Sequence, residues 1–262
     1  MPDINFSCVS CGKCCHDLRL PLTWQEAIDW LSREGTVELM CEALPWLEEP
    51  DPSNLQAQHK RRRSFSTMSG NLPIRVIVVL TAVYTGACPN LDAQFRCRIY
   101  ETRPHVCRIY PAEINPFIAL SPANKLCPPE AWTSPAPLMR GDTIVDDQVR
   151  SDIGRSRRDD EHEALSKQAL CALLNIGSAG LSSEGFAVHA PPADHLLKAL
   201  RAGIQDVAQE NLPSWTVLSN QASTINALTS AGADAHLASN TSSGPNRYIG
   251  FRADASDVMP RT

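Results

Sequence analysis

Apolar and polar positions alternate with different periods along the chain, and each period predicts an element. In Leu22-Thr23-Trp24-Gln25-Glu26, Thr23 and Glu26 have capping-box spacing and Leu22 precedes the cap as a staple. Ala27, Ile28 and Leu31 continue as the apolar stripe of a helix, with Gly35 as its stop. Residues 37–44, ended by Pro45, read as a second helix. Residues 56–70 are polar and read as a loop carrying the basic run 60–63. Residues 73–84, dense in Val and Ile, predict one long strand or a strand pair leading to Cys88. Arg103-Pro104 opens a short helix through Ile109 that Pro111 ends.

Beyond Pro137 the pattern turns helical. Residues 161–176 carry apolar side chains at 165, 169, 172, 173 and 176, before Gly177. Residues 193–207 follow with Leu196, Leu197, Leu200, Ile204 and Val207. From Ser219 the chain drifts into Ala, Ser, Asn, Thr and Gly, the composition of a loosely attached tail.

Composition narrows the class. A chain of 262 residues with 43% apolar and 20% charged positions buries a real core and has an ordinary surface. The longest apolar run, 76–80 and its flanks, is strand-sized, so no membrane span is expected. MPDINFSCVSCGKCC has neither a charged n-region nor an apolar h-region, and the expected compartment is the cytoplasm. A net charge of −5 gives no global reason to expect nucleic acid. The charge is uneven: residues 1–58 sum to −7 and residues 59–110 to +7. The basic block surrounds the second group of cysteines.

The cysteines change the picture most. Ten lie at 8, 11, 14, 15, 41, 88, 97, 107, 127 and 171; four fall within CVSCGKCC and four more between Cys88 and Cys127. A reducing cytosol keeps thiols free, and closely spaced sulfurs can converge on one ion, so compartment and spacing favour metal over disulfides. Cys-x2-Cys is the usual zinc knuckle. Cys8-x2-Cys11-x2-Cys14 is also the start of a ferredoxin-type iron–sulfur run, whose remaining cysteine precedes proline, as Cys88 and Cys127 do here. That tilts the reading toward a [4Fe–4S] cluster on Cys8, Cys11, Cys14 and one remote partner, with zinc as the alternative. The number of clustered cysteines suits two four-sulfur sites, or one cluster beside a second ion. Cys14 and Cys15 are adjacent, and in an extended segment they point opposite ways, so one of the pair is expected to serve each site. Cys41 and Cys171 stand alone in helical patterns and read as ordinary buried thiols.

CRIYETRPHVCRIY, residues 97–110, repeats one tetrapeptide in two different local structures, Cys97 on an extended segment and Cys107 on the short helix. Arg98 and Arg108 would offset the charge of bound thiolates, and Ile and Tyr would form an apolar wall with a hydrogen-bonding tip. His105 is assigned a supporting or surface role. No GxxxxGK[ST], GxGxxG, HExxH or GxSxG motif occurs.

FSCVSCGKCCHDLRLPLTWQEA and ACPNLDAQFRCRIYETRPHVCRIYP, closed by Cys127, resemble the YkgJ-type CxxCxxCC cysteine-cluster family, a zinc- or iron-chelating domain. The resemblance covers roughly residues 5–130 and implies that Cys8, Cys11, Cys14, Cys15, Cys88, Cys97, Cys107 and Cys127 are the metal set. The insertion PDPSNLQAQHKRRRSFSTMSG separates the two cysteine groups, and residues after about 131 lie outside the resemblance. Flagellin lysine N-methylases look like members of the same broader group. The expected fold is α+β: a small cysteine-rich, metal-organised domain over 1–135 with a loop insertion at 54–72, a helical region 136–218, and a flexible tail 219–262. The first function expected is a metal-scaffolded structural or interaction role with an unknown protein partner or substrate. The alternative is an iron–sulfur enzyme of redox or protein-lysine methyl-transfer type. Nucleic-acid binding through 60–63 and 96–108 is the weakest of the three.

Overall fold

One large mixed sheet runs through the protein, with helices on it and a small second sheet beside it. The computed structural model describes residues 3–203, 214–240 and 244–253. A short strand β1 (Ile4–Asn5) precedes the cysteine loop, and β2 (Arg19–Leu22) follows it. Helix α1 (Trp24–Leu31) starts on the expected capping box: Thr23 accepts from the Glu26 amide, and the Glu26 carboxylate accepts from the Thr23 amide at 3.0 Å. Ala27, Trp30 and Leu31 are its buried residues. It ends at Ser32, before Gly35, and Glu34 takes the left-handed turn at φ 62°.

The expected second helix is instead strand β3 (Thr36–Pro45). Val37, Leu39, Cys41 and Ala43 all turn into the core with at most 2% exposure, the period of a strand and not of a helix. The expected loop insertion also has structure. Helix α2 (Leu55–Arg62) is capped by Asn54 and ends in the basic run, where positive side chains meet the negative end of the helix dipole. Strand β4 (Phe65–Ser69) then turns into β5 (Leu72–Val83), the expected long strand. Strands β3 and β5 pair antiparallel from Thr36↔Val83 to Pro45↔Ile74, the longest ladder of the sheet.

Past the second cysteine group come α3 (His105–Ile109), α4 (Pro129–Trp132), and a hairpin of β6 (Pro137–Arg140) with β7 (Thr143–Ile144). The helix expected over 161–176 is two helices, α5 (Asp147–His162) and α6 (Ala164–Leu173), meeting at Glu163. Ala169 and Ile176 are buried as the pattern requires, whereas Leu165 and Leu173 face solvent at 70% and 54% exposure. The region is not purely helical: β8 (Ser178–Leu181) and β9 (Gly185–His189) follow. Helix α7 (Ala193–Ala202) stops at Gly203, and Ile204 and Val207 of the expected stripe lie outside the described residues.

The tail expectation is corrected over its described residues, while 241–243 and 254–262 lie outside them. Strand β10 (Thr216–Ser219), helix α8 (Ala222–Ser230), β11 (Ala235–Leu237) and β12 (Asn246–Gly250) all join the large sheet or pack beside it. The order is β11-β10-β8-β3-β5-β2, with β4 on β5, and β9 between β3 and β12. Among its C-terminal strands, β8 is parallel to β3 and β10 to both β8 and β11, whereas β9 is antiparallel to β3 and β12; β5 pairs antiparallel with β2, β3 and β4. Trp215, 1% exposed, packs its ring 5.6 Å from that of Phe65 on β4, which ties the segment entering β10 to β4. Burying such a side chain is worth about 1.5–3 kcal/mol. No helix among the described residues is long and apolar enough to cross a membrane.

Candidate metal centre

The register of two strands brings the two cysteine groups together. Arg19 on β2 pairs with Val83 on β5, so the chain entering β2 and the chain leaving β5 run side by side at one end of the sheet. The pairing continues past the strands: His16 bridges Ala87, and the Cys88 amide donates to the Cys15 carbonyl at 2.8 Å. Asp17 closes the turn, its carboxylate accepting from the Gly86 amide at 2.6 Å.

The rest of CVSCGKCC is shaped by its glycine. Gly12 sits at φ +69°, where an added Cβ would stand 2.9 Å from both Cβ and O of Phe95. The Gly12 carbonyl then accepts from the Cys15 amide (2.9 Å) and bonds His16 Nδ1 (3.1 Å). Upstream, β1 pairs with β6, the Phe6 amide donates to Ala136 and the Ser7 amide to Ala131. Phe6 packs 5.0 Å from Trp132, whose indole N–H donates to the Cys127 carbonyl. Cys8 and Cys127 are thereby strapped to one wall. Cys88 and Cys97 share a hairpin-like loop through the Leu91–Cys97 bridge, and Cys107 rides on α3, which packs against α5 through Ile109, Ala112 and Ile153.

All eight clustered cysteines line one cavity of about 530 Å³. Its other walls include Leu18, Leu20, Trp30, Val106 and Leu138. Cys8 and Cys11 are exposed and the other six are half-buried. Cys41 and Cys171 lie elsewhere, both 0% exposed in the main core, where each faces the other, as the sequence reading of buried thiols requires.

The thiols fall into two electrostatic neighbourhoods. Cys107 is pushed up to about 12, by burial first and then by Cys88 and Cys97. Cys15 is lowered by a hydrogen bond with Cys14, and Cys107, Cys88 and Cys97 oppose that lowering. Cys127 is raised, by burial first and then by Cys14, Cys8 and Cys11. Cys14, raised mainly by its bond with Cys15, lies in a turn with its sulfur 3.9 Å from that of Cys15. The two side chains therefore do not point opposite ways, as the extended segment expected from the sequence would have them, and Cys14 joins the two neighbourhoods. Each neighbourhood has its own tyrosine. Tyr84 is raised by burial and by Cys88, Cys107 and Cys15; Tyr110 is raised by burial, by a hydrogen bond with Cys127, and by Cys14.

The positive charge at the thiols comes from Arg103, which lowers both Cys14 and Cys107. The sequence reading used Arg103 only as a helix start. Of the two arginines it chose, Arg98 is engaged elsewhere, and Arg108 lies on the cavity wall with its Nε buried and without a hydrogen-bond partner among the described residues. Arg98 donates to the Pro89 carbonyl at 2.6 Å, and Arg108 faces buried Asp152 at 3.9 Å. Tyr84 was missed as well; its place directly after β5 and before Cys88 was the available signal. His105 lies behind the wall, its amide donating to Glu26 at 2.7 Å.

The donor set tests whether a metal fits. Arg103 Nε is buried without a hydrogen-bond partner among the described residues, and buried Tyr84 Oη faces the Cys88 thiol. Buried donors beside sulfur bond a thiolate or sulfide more strongly than a neutral thiol. Among the described residues no three His, Cys, Asp or Glu side chains converge in metal-holding geometry, so the thiols line a chamber and do not form a closed cage.

A chamber lined by thiols is a donor set for soft metals such as zinc and iron. Residues 7–128 match the model of the CxxCxxCC family, described as "Putative zinc- or iron-chelating domain". The match includes all eight cavity cysteines and ends before β6. No curated protein and no solved structure matches the chain.

Proposed function

We propose that this chamber chelates zinc or iron through two four-thiolate sets, Cys8, Cys11, Cys14 and Cys127 in one, Cys15, Cys88, Cys97 and Cys107 in the other. The single observation behind the reading is that all eight thiols line one cavity. The division follows the two electrostatic neighbourhoods, with adjacent Cys14 and Cys15 serving one set each. Four thiolates on Zn²⁺ or on a [4Fe–4S]²⁺ core leave a net negative charge, which is costly to bury without donors. Tyr84 supplies a donor at one set, Tyr110 bonds Cys127 at the other, and Arg103 acts on both through Cys14 and Cys107. A [4Fe–4S] cluster is favoured over zinc by the room in the chamber and by the Cys-Pro pairs. The basic run does not read as a nucleic-acid face: Lys60 bonds Ser182 at 2.6 Å, Arg61 pairs with Glu49 at 3.1 Å, and Arg63 with Asp160 at 2.9 Å.

Metal analysis of single variants tests the division. Cys127→Ser is expected to lose the metal of one set and keep that of the other, and Cys97→Ser the reverse. Loss of all metal in either variant contradicts two separable sets.

A second reading is an iron–sulfur enzyme of redox or methyl-transfer type, in an unidentified partner or substrate's pathway of modification. The observation favouring it is that the chamber continues past the sulfurs to Leu18, Leu20, Trp30 and Leu138, leaving an apolar wall for a second molecule. A bound cluster would supply electron transfer or an open iron; this chain's own residues would orient the guest and exclude water. A spectral change on adding S-adenosylmethionine supports this reading, and its absence leaves chelation alone.

A further inference from the structure

We propose an oxyanion-binding site on the far side of α3 from the thiols, in a cavity of about 320 Å³ between α2, α3 and α5. Val106 lines both cavities, so one short helix is the wall between them. The site goes beyond the metal reading and does not depend on it.

The case rests on which charges in this cavity are already paired. Its carboxylates are largely committed. Asp160 accepts from Arg63 at 2.9 Å and from Lys167 at 3.1 Å. Glu163 accepts from the Trp24 amide at 2.8 Å and pairs with Lys167 at 3.2 Å. Glu26 is taken by the Thr23 and His105 amides. Glu161, on the lining, is the one acid without such a partner among the described residues.

The cations are not committed in the same way. Arg62, Arg157 and Arg158 line the cavity and have no carboxylate within 4.0 Å among the described residues. Arg157 gives two donors to the Ile114 carbonyl, at 2.9 and 2.7 Å, which fixes its guanidinium in place with donors to spare. Arg63 Nε, an obligate donor, and His59 Nε2 are both buried there without a hydrogen-bond partner. Burial holds His59 below its ordinary range, and Arg63, Arg157 and Arg62 add to the lowering against Asp160. Three unpaired guanidiniums against one unpaired carboxylate, beside a buried donor without a partner among the described residues, call for an acceptor carrying negative charge. Guanidinium forks match the oxygens of phosphate and of carboxylate alike. Arg62 and Arg158 are exposed, which leaves an entrance from solvent.

Calorimetric titration of the full, metal-loaded chain with inorganic phosphate tests the site, with acetate and chloride titrated at the same ionic strength. Saturable binding of phosphate, or of acetate in its place, is expected, weakened about tenfold or more in R62A/R158A, since a charge-assisted bond contributes about 1.5–3 kcal/mol. Acetate in preference to phosphate identifies a carboxylate ligand. No saturable binding, chloride binding as tightly, or binding unchanged in R62A/R158A overturns the proposal. Metal content measured on the same samples separates this outcome from any failure of the chelation reading.

Discussion

The Cys88 amide donates to the Cys15 carbonyl at 2.8 Å, which joins two cysteines that are far apart in the sequence. The bond is the last rung of a ladder that begins with Leu22↔Leu80 in the sheet. A slip of one residue in that register would turn every side chain of β2 to the other face and separate the cysteine groups. The large sheet is therefore the ruler that sets the chamber, and the cysteine loops are its extension. Four consequences are open to measurement.

Gly12→Ala is expected to damage the chamber without touching a thiol. The new Cβ meets Phe95 at 2.9 Å and sits at a φ of +69°, a conformation that costs a side chain about 1–2 kcal/mol. Thermal denaturation and metal content should both fall. Wild-type metal content would show that the loop tolerates another turn.

Tyr84→Phe separates fold from metal. The hydroxyl is buried with only the weakly accepting Cys88 thiol beside it, so its removal is expected to leave the metal-free protein about as stable. The loaded protein should surrender metal to a chelator roughly fivefold faster, the equivalent of about 1 kcal/mol. Equal release rates in the two proteins would remove Tyr84 from the account.

Glu26 holds two elements with one carboxylate, capping α1 at Thr23 and accepting from the amide of His105 on α3. Glu26→Ala is expected to cost roughly 3 kcal/mol in urea denaturation, from a lost cap and a buried amide left unpaired. Glu26→Gln keeps an acceptor and should lose less than half of that. Equal losses would show that charge, and not the hydrogen bonds, matters there.

The core thiol Cys41 gives the fold an alkaline limit. Burial, and then Cys171, raise it well above its ordinary 9.0. A folded value above the unfolded one means that the unfolded chain releases its proton first. The contribution is therefore intact below about pH 9 and declines as pH rises, by about 1 kcal/mol at pH 10. Cys41→Ala should be less stable at pH 7 because of its cavity, yet lose less between pH 8 and pH 10. Identical pH slopes would contradict this.

Much of the site was legible because its signals are local. The Thr23–Glu26 box, Arg103-Pro104 and the cysteine spacings each act over a few residues, and the structure realises the box and the short helix. What failed was set by distant partners. Val-Glu-Leu-Met-Cys-Glu-Ala-Leu is composed largely of good helix formers, but β5 and β9 pair with it on either side and override propensity. Glu38 on that strand is buried because Arg247, from β12, meets it at 2.5 Å, a partner no local window could show. The polar chain after Ser219 reads as a tail until β11 finds a parallel neighbour in β10 and β12 an antiparallel one in β9. Arg103 was hidden for the same reason: its sequence neighbours say helix start, and only the closed chamber shows it beside Cys14 and Cys107.

Anaerobic purification followed by an absorption spectrum near 400 nm, with iron, zinc and acid-labile sulfide counted against protein, tests the central claim most directly. The expected result is a brown protein whose iron and sulfide match and disappear together when the chamber cysteines are replaced by serine. A colourless protein with stoichiometric zinc would keep the chelation reading and discard the cluster. A protein that takes up neither metal from purification or from reconstitution would contradict the account.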